Sequence, residues 1–286
     1  MTQLVLGQIL NGVILGSLYG IIALGVTMTF GITGIVNFAL GQFMMIGAYA
    51  AWYLTDAAGL PFAVAVALGI VIAAIAGLAA DQALFRFTRN NLVNGLLVSI
   101  GLISVVESVA LMLFTTTPKN MDVVVAGSWL LGAIALPRMK IVVFLLLVAV
   151  IALTWLGLSR AWLGRATRAY AQNAEAATLM GVPTKLLQTG VVVYSCGLAG
   201  FGGALYASLY SLEPSLGALF ILKGVEAAIL AGVGNLLGAL AGGVLLGVTE
   251  SVGSLYLPGA FRDAYGLVFL IAILLFRPAG LFGSSK

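Results

Sequence analysis

Three carboxylates interrupt apolar stretches of this sequence, where a charged group is costly. They are Glu107, Glu226 and Glu250. A carboxylate at bilayer depth costs about 2.5 kcal/mol or more, so each should face the interior of a helix bundle and meet a partner there. Such groups could line a pathway for a solute or an ion, and we predict this role for Glu226 and Glu107. Simple pairing is an alternative for Glu226, because Lys223 lies three residues earlier on the same helix face.

Composition restricts the chemistry further. The sequence has no histidine and one cysteine, Cys196, so an intrachain disulfide is impossible and the commonest metal ligand is missing. It has no G-x-x-x-x-G-K-[ST] motif for ATP, and no Cys-His, Ser-Lys or paired-Asp arrangement in neighbouring apolar segments. We therefore expect no catalytic residue, metal or cofactor in this chain. The net charge of +4 arises from basic loops and predicts no nucleic-acid partner.

The apolar composition predicts a membrane protein with many spans. Hydrophobic residues make up 62% of the 286 residues, charged residues 8%, and the mean hydropathy is +1.17. We predict an all-α transmembrane bundle of eight or nine spans, forming a single domain over residues 1–286. The second and seventh segments are short for a bilayer, and the eight-span alternative makes one of them re-entrant. The nine segments are Leu4–Phe30, Gly41–Leu54, Pro61–Ala80, Leu92–Phe114, Ile141–Leu158, Leu186–Tyr210, Gly217–Val233, Leu236–Leu255 and Arg262–Phe276.

Basic residues predict the orientation. Cytoplasmic loops collect Lys and Arg, and three groups stand out: Arg86 with Arg89, the polar run Arg160–Lys185, and Arg277 with Lys286. Nine crossings place all three groups in the cytoplasm, with the N-terminus outside and the C-terminus inside. The other basic residues then fall on or near the outer side: Lys119, Arg138, Lys140, Lys223 and Arg262.

Two glycine-rich, polar segments predict breaks in the helices. The first runs from Gly31 to Gln42 and contains Asn37, and the second runs from Lys223 to Asn235. Irregular backbone at membrane depth survives where protein or a water-filled cavity satisfies it, and paired breaks in two halves indicate a transport pathway. We therefore predict that Asn37 and Gln42 line the pathway. An ordinary short loop at each place is the alternative.

Glycines recur at a spacing of four in two of the predicted spans. The first span has Gly12, Gly16 and Gly20, and the eighth has the pairs Gly238 with Gly242 and Gly243 with Gly247. Small residues at this spacing let two helix backbones approach closely in lipid. We expect tight helix packing at these positions.

The polar run Arg160–Lys185 is the longest interruption of the apolar sequence. Good helix formers continue from Arg165 to Met180, and Gly181 and Pro183 then predict a helix end. We predict one short helix on the cytoplasmic surface.

The same run resembles a known motif. Asn173–Pro183 is similar to the Glu-Ala-Ala loop of ABC importer permeases, and further motifs along the chain resemble the branched-chain amino acid permease group, specifically its H-type subunit. These motifs are Gln8–Gly12, Gly16–Gly20, Gly31–Gly41, Gly47–Tyr49, Glu213–Gly217 and Phe276–Gly283.

The resemblance implies a fold similar to that of the vitamin B12 and ribose permeases, in the bacterial inner membrane. It implies two cytoplasmic P-loop ATPase subunits that bind ATP and Mg, a second similar permease, and a soluble substrate-binding protein outside. It also implies that a coupling helix within residues 160–185 docks into the ATPase. The residues expected to couple are Arg165, Arg168, Gln172, Asn173, Glu175, Ala176, Ala177, Met180 and Gly181.

One departure from the family concerns the solute. Glu226 stands where the family usually has an apolar residue, and relatives carry urea, amides and carboxylic acids as well as branched-chain amino acids. The expected cargo is therefore a branched-chain or hydrophobic amino acid or a related small solute. A stand-alone carrier driven by an ion gradient is the alternative function, with Glu226 and Glu107 as its ionisable groups.

Overall fold

The computed structural model describes residues 2–34, 37–88, 91–122, 127–131, 134–232, 234–256 and 261–282. Within these ranges the chain is a helical bundle, as predicted. The apolar helices are α1 (Thr2–Thr33), α2 (Leu40–Asp56), α3 (Phe62–Ala83), α4 (Leu92–Phe114), α5 (Arg138–Arg160), α8 (Thr184–Ala207), α9 (Leu216–Ala231), α10 (Leu236–Tyr256) and α11 (Arg262–Phe276). The polar run forms two short helices, α6 (Trp162–Gln172) and α7 (Ala174–Leu179).

Each of the nine predicted segments corresponds to one apolar helix. Six of these helices are long and apolar enough to cross a membrane: α1, α3, α4, α5, α8 and α10. The predicted short spans are α2, with 17 residues, and α9, with 16. Helix α11, with 15 residues, is also short.

Contacts between helix ends define two ends of the bundle. At the upper end, Lys140 Nζ donates a hydrogen bond of 2.7 Å to Asn11 Oδ1, and the backbones of Lys119 and Leu212 pair. At the lower end, Phe282 N donates to Ala231 O over 2.9 Å. Successive apolar helices therefore run in alternating directions, with the start of α1 at the upper end and the end of α11 at the lower end. Arg89 and Lys286, two of the residues used to predict the orientation, lie outside the described residues.

A small β-hairpin precedes α5 at the upper end. Strand β1 (Ser128–Leu131) pairs antiparallel with β2 (Ile134–Pro137). These two strands were not predicted, because four residues are too few to show a clear alternation of apolar and polar side chains.

Glycines bring the helix backbones into direct contact, as their spacing predicted. A Cβ atom added to Gly16 of α1 would lie 2.5 Å from the carbonyl oxygen of Gly243 in α10, and one on Gly12 would lie 2.6 Å from Val248 Cα. Gly47 of α2 and Gly200 of α8 meet in the same way. Lipid chains are as apolar as leucine, so this close approach is the main source of packing energy between spanning helices.

We predict that Gly16→Ala destabilises the protein. Its Cβ would meet backbone atoms that cannot rotate away, which costs about 1–3 kcal/mol. Gly101→Ala on α4 is the matched control, because no atom lies within 4 Å of that Cβ position and alanine favours helix. The measurement is the thermal midpoint in detergent, which should fall for Gly16→Ala alone; equal midpoints would contradict the packing described here.

Candidate functional site

The segment expected to couple to an ATPase, residues 160–185 (hereafter the coupling segment), is broken at Asn173. This residue is extended, with φ −155°, and its side-chain oxygen accepts a hydrogen bond of 2.9 Å from Ala176 N at the start of α7. The prediction of one continuous helix from Arg165 to Met180 is wrong, because the Asn side chain caps a new helix more favourably than it extends the old one.

The predicted helix end at Gly181 is confirmed. Gly181 has φ +83°, a conformation that glycine adopts without steric cost. Val182 N donates to Ala177 O over 3.1 Å, and Gly181 N donates to Thr178 O over 3.0 Å. These two bonds form the Schellman arrangement that ends a helix, and Pro183 then directs the chain into α8.

Residues of the coupling segment point in two directions. Ala177 is buried against the body of the protein, whereas Gln172, Glu175 and Ala176 are exposed. The apolar side chains of Leu179 and Met180 are 88% and 85% exposed. An apolar pair so exposed at the tip of a short helix marks a surface suited to a protein partner.

Arg168 anchors α6 to α5. Its Nη1 donates a hydrogen bond of 2.6 Å to Leu158 O in the last turn of α5, where carbonyls lack helical partners. Arg165 is exposed and has no ion pair within the described part of the chain. This hydrogen bond thus links α6 directly to α5.

Each of the two predicted breaks is a turn between two helices. Helix α1 ends at Thr33, and Asn37 Oδ1 then accepts a hydrogen bond of 2.9 Å from Ala39 N, one residue before α2. Helix α9 ends at Ala231, followed by Gly232 with φ +95°, and Asn235 caps α10 by accepting from Gly238 N over 3.0 Å. Both segments are irregular turns whose asparagines satisfy backbone amides.

Gln42 is buried where α2 crosses α9. A Cβ on Gly217 would lie 2.8 Å from Gln42 Cδ. The Oε1 and Nε2 atoms of Gln42 have no hydrogen-bond partner among the described residues. Buried amides are usually paired, so these atoms are available to a water molecule or a polar solute.

A cavity of about 240 Å³ separates α4 from α9 near the α1–α2 turn. Its lining is apolar: Phe38, Ile100, Ile103, Ala218, Ile221 and Leu222. Glu107 follows Ile103 by four residues on α4, and Glu226 follows Leu222 by four residues on α9, so each carboxylate shares a helix face with the lining. Because α4 and α9 run in opposite directions, Glu107 lies toward the upper side of the cavity and Glu226 toward the lower side.

Glu226 belongs to a buried ion cluster centred on Lys223. Lys223 Nζ lies 2.7 Å from Glu250 Oε1, 3.1 Å from Asp263 Oδ1 and 3.5 Å from Glu226 Oε2. Lys223 is 6% exposed and Glu250 is 0% exposed. The expected partner of Glu226 at i,i+3 is therefore present, and Lys223 is a buried residue that meets Asp263 in the first turn of α11, at the upper end.

Tyr19 and Arg262 complete the surroundings of Glu250. The Tyr19 hydroxyl donates a hydrogen bond of 3.0 Å to Glu250 Oε2, and Arg262 Nε lies 3.6 Å from the same oxygen. The cluster thus joins α1, α9, α10 and α11. Tyr19 and Asp263 were not predicted as members of this cluster, because both reach it from distant parts of the chain. Lys223 inside an apolar segment was the available signal.

Two further carboxylates in the apolar helices, Glu107 and Asp81, lie outside this cluster. Glu107 makes no hydrogen bond or ion pair within the described part of the chain and lies on the largely exposed α4, so the expected interior partner is wrong for this residue. Asp81, which sequence analysis did not single out, is fully buried and accepts a hydrogen bond of 2.6 Å from Thr189 Oγ1. Asp81 joins α3 to α8.

Comparisons with known proteins cover nearly the whole chain. Residues 8–277 match the family described as branched-chain amino acid transport system / permease component. The high-affinity branched-chain amino acid transport system permease protein BraD of Pseudomonas aeruginosa is 30% identical, over 98% of this chain and 96% of BraD. LivH of Escherichia coli, which carries the same description, is 31% identical over the same shares. In fold, the chain resembles PsaBC from Streptococcus pneumoniae in complex with Fab, with a TM-score of 0.51 and 14% identity over 94% of this chain and 91% of that one.

Proposed function

We propose a function from the premise that this chain belongs to the permease-component family of branched-chain amino acid transport systems. The proposed function is to move such amino acids, or a related small solute, across the membrane. The chain would do so as the membrane subunit of an ATP-driven ABC importer. The observation that carries this proposal is the family match across residues 8–277. As a multi-pass protein of the bacterial inner membrane, the chain works with its upper end outside and its lower end, with α6 and α7, in the cytoplasm.

Several partners follow from this function. Two cytoplasmic P-loop ATPase subunits supply the free energy of ATP hydrolysis, with ATP and Mg bound in those subunits. A second, similar permease completes the pathway, and a substrate-binding protein delivers the solute at the upper end.

Coupling is mechanical. The exposed face of α6 and α7 docks on an ATPase subunit, with Leu179 and Met180 covered by the partner and Glu175 forming charge-assisted hydrogen bonds at the rim. Motion passes to α5 through the hydrogen bond of Arg168 to Leu158 O, and to α8 through the turn at Gly181.

The translocation pathway runs along the α4–α9 cavity, between this subunit and the second permease. Apolar walls suit a branched aliphatic side chain, and the Glu226 and Glu107 carboxylates suit an α-ammonium group. Asn37 precedes Phe38 of the lining, and the unpaired amide of Gln42 lies against Gly217, next to Ala218 of the lining. These four polar residues are the proposed contacts along the path.

We predict that Gly181→Val abolishes coupling without preventing insertion. Valine at φ +83° is strained by about 1–3 kcal/mol and should distort the turn that follows α7. ATP-driven leucine uptake into proteoliposomes holding the complete complex should fall about tenfold or more.

Gly59→Val is the matched control for this variant. Gly59 also has positive φ, +65°, with open space around it, but lies between α2 and α3 at the upper end. Its uptake should exceed that of Gly181→Val at equal membrane content. Uptake at the wild-type rate by Gly181→Val would contradict the proposed role of the α7–α8 turn in coupling.

We predict that two neighbouring carboxylates affect different properties, Glu226 the transport rate and Glu250 the stability. Glu226→Gln should lower leucine uptake with little change in thermal midpoint, because Lys223 keeps Glu250 at 2.7 Å and Asp263 at 3.1 Å. Glu250→Gln should lower the midpoint sharply, because removing one partner of a buried ion pair costs about 3–5 kcal/mol. Uptake at the wild-type rate in Glu226→Gln would contradict the proposed contact between this residue and the solute.

A further inference from the structure

A second cavity, of about 310 Å³, lies between α5, α6 and α8 at the lower end of the bundle. Its lining is almost wholly apolar and includes Leu153, Gly157, Trp162, Leu186, Gly190 and Val191. One polar pair lies within it, where Thr154 Oγ1 and the Tyr194 hydroxyl share a hydrogen bond of 2.6 Å. This pair is satisfied internally, as is Thr167 of the lining, whose Oγ1 donates to Gly164 O over 2.9 Å, so the cavity offers an occupant mainly apolar contacts.

The cavity faces the surroundings of the bundle. Leu153 and Leu186 of its lining are 66% and 71% exposed, and Trp162 is exposed beside them. It shares no lining residue with the α4–α9 cavity of the proposed pathway. Tryptophan at a helix end is typical of the boundary between hydrocarbon and headgroups. An occupant would therefore enter from the bilayer.

Uncompensated positive charge surrounds the cavity. Arg160 ends α5 immediately before Ala161 of the lining, and Lys185 immediately precedes Leu186. Both are exposed, and neither makes an ion pair in the part of the chain that the structure describes. Glu175 is the sole acidic residue of the sequence between positions 157 and 190.

We propose that this cavity binds one acyl chain of an anionic phospholipid, with the lipid phosphate held by Arg160 and Lys185. A phospholipid supplies the apolar chain and the negative headgroup in one molecule. Basic pockets between spanning helices on the cytoplasmic side are suited to anionic headgroups, since each nearby Lys or Arg adds to the attraction. The bound acyl chain fills the cavity between α5, α6 and α8.

The position of this site gives the lipid a regulatory role. The hydrogen bond of Arg168 to Leu158 O connects α6 to α5, and Leu158 also lines the cavity. A lipid that packs against α5, α6 and α8 makes the connection between the coupling segment and the spanning helices more rigid. This consequence depends on the proposed transport function, whereas lipid binding itself does not.

Native mass spectrometry of the full-length chain in detergent, with whatever co-purifies, tests the binding. The probes are phosphatidylglycerol and phosphatidylcholine with identical acyl chains. Phosphatidylglycerol should be retained in preference. The double variant Arg160→Gln/Lys185→Gln should weaken its retention about tenfold or more, to the level of phosphatidylcholine.

Cavity-filling variants test the location. No atom lies within 4 Å of a Cβ placed on Gly190 or Gly157, and both residues line the cavity, so Gly190→Leu adds bulk there without a backbone clash. Gly190→Leu should displace the retained lipid, whereas Gly101→Leu, equally open on α4, should not.

Three results would overturn the proposal. Equal retention of the two lipids would show that the protein does not recognise the anionic headgroup. Equal lipid retention by Gly190→Leu and Gly101→Leu would show that the lipid does not bind in this cavity. Loss of a co-purifying protein from Gly190→Leu, with lipid retention unchanged, would assign the cavity to a partner subunit instead. None of these results depends on a transport assay, so failure here is distinguishable from failure of the proposed function.

Discussion

Direct contact between glycine backbones is the constraint on which this bundle depends. In lipid, burying a leucine between helices gains little over leaving it in contact with acyl chains, so stability comes from close approach. Gly12 and Gly16 of α1 meet Gly243 and Gly247 of α10, and Gly47 of α2 meets Gly200 of α8. These helices, together with α9, form a tightly packed centre, and α4 and α5 lie around it with most of their apolar side chains exposed.

That centre explains how a charged cluster persists in the bundle. Lys223 and Glu250 are buried together because α9 and α10 pack closely, and the Tyr19 hydroxyl reaches Glu250 because α1 lies against both. Paired in this way, the charges avoid the large penalty of an isolated buried ion. The cluster also fixes the short helix α9, which lines the α4–α9 cavity through Ala218, Ile221 and Leu222. Packing, electrostatics and the proposed pathway therefore meet at a single helix.

Local signals predicted much of this architecture. Hydropathy located the nine apolar helices, glycine spacing indicated the tight contacts, and Gly181 with Pro183 marked the end of the coupling segment. The break at Asn173 was missed because helix propensity favoured continuation, whereas the side-chain cap to Ala176 N favoured a new start. The partners of Glu250, and the lack of one for Glu107 among the described residues, depend on which helices become neighbours. One-dimensional periodicity does not contain that information. The expected coupling residues came from resemblance to a family, not from spacing.

The central claim is that α6 and α7 dock on a P-loop ATPase, and site-specific cross-linking tests it most directly. The native thiol of Cys196 is fully buried, so an introduced cysteine is the accessible one. Ala176→Cys, on the exposed face of α7, and Gly59→Cys, at the upper end, would each carry a maleimide-linked photoreactive group in native membranes. We expect Ala176→Cys alone to cross-link an ATPase subunit, identified by mass spectrometry. An ATPase cross-link from Gly59→Cys, or none from Ala176→Cys, would contradict the account.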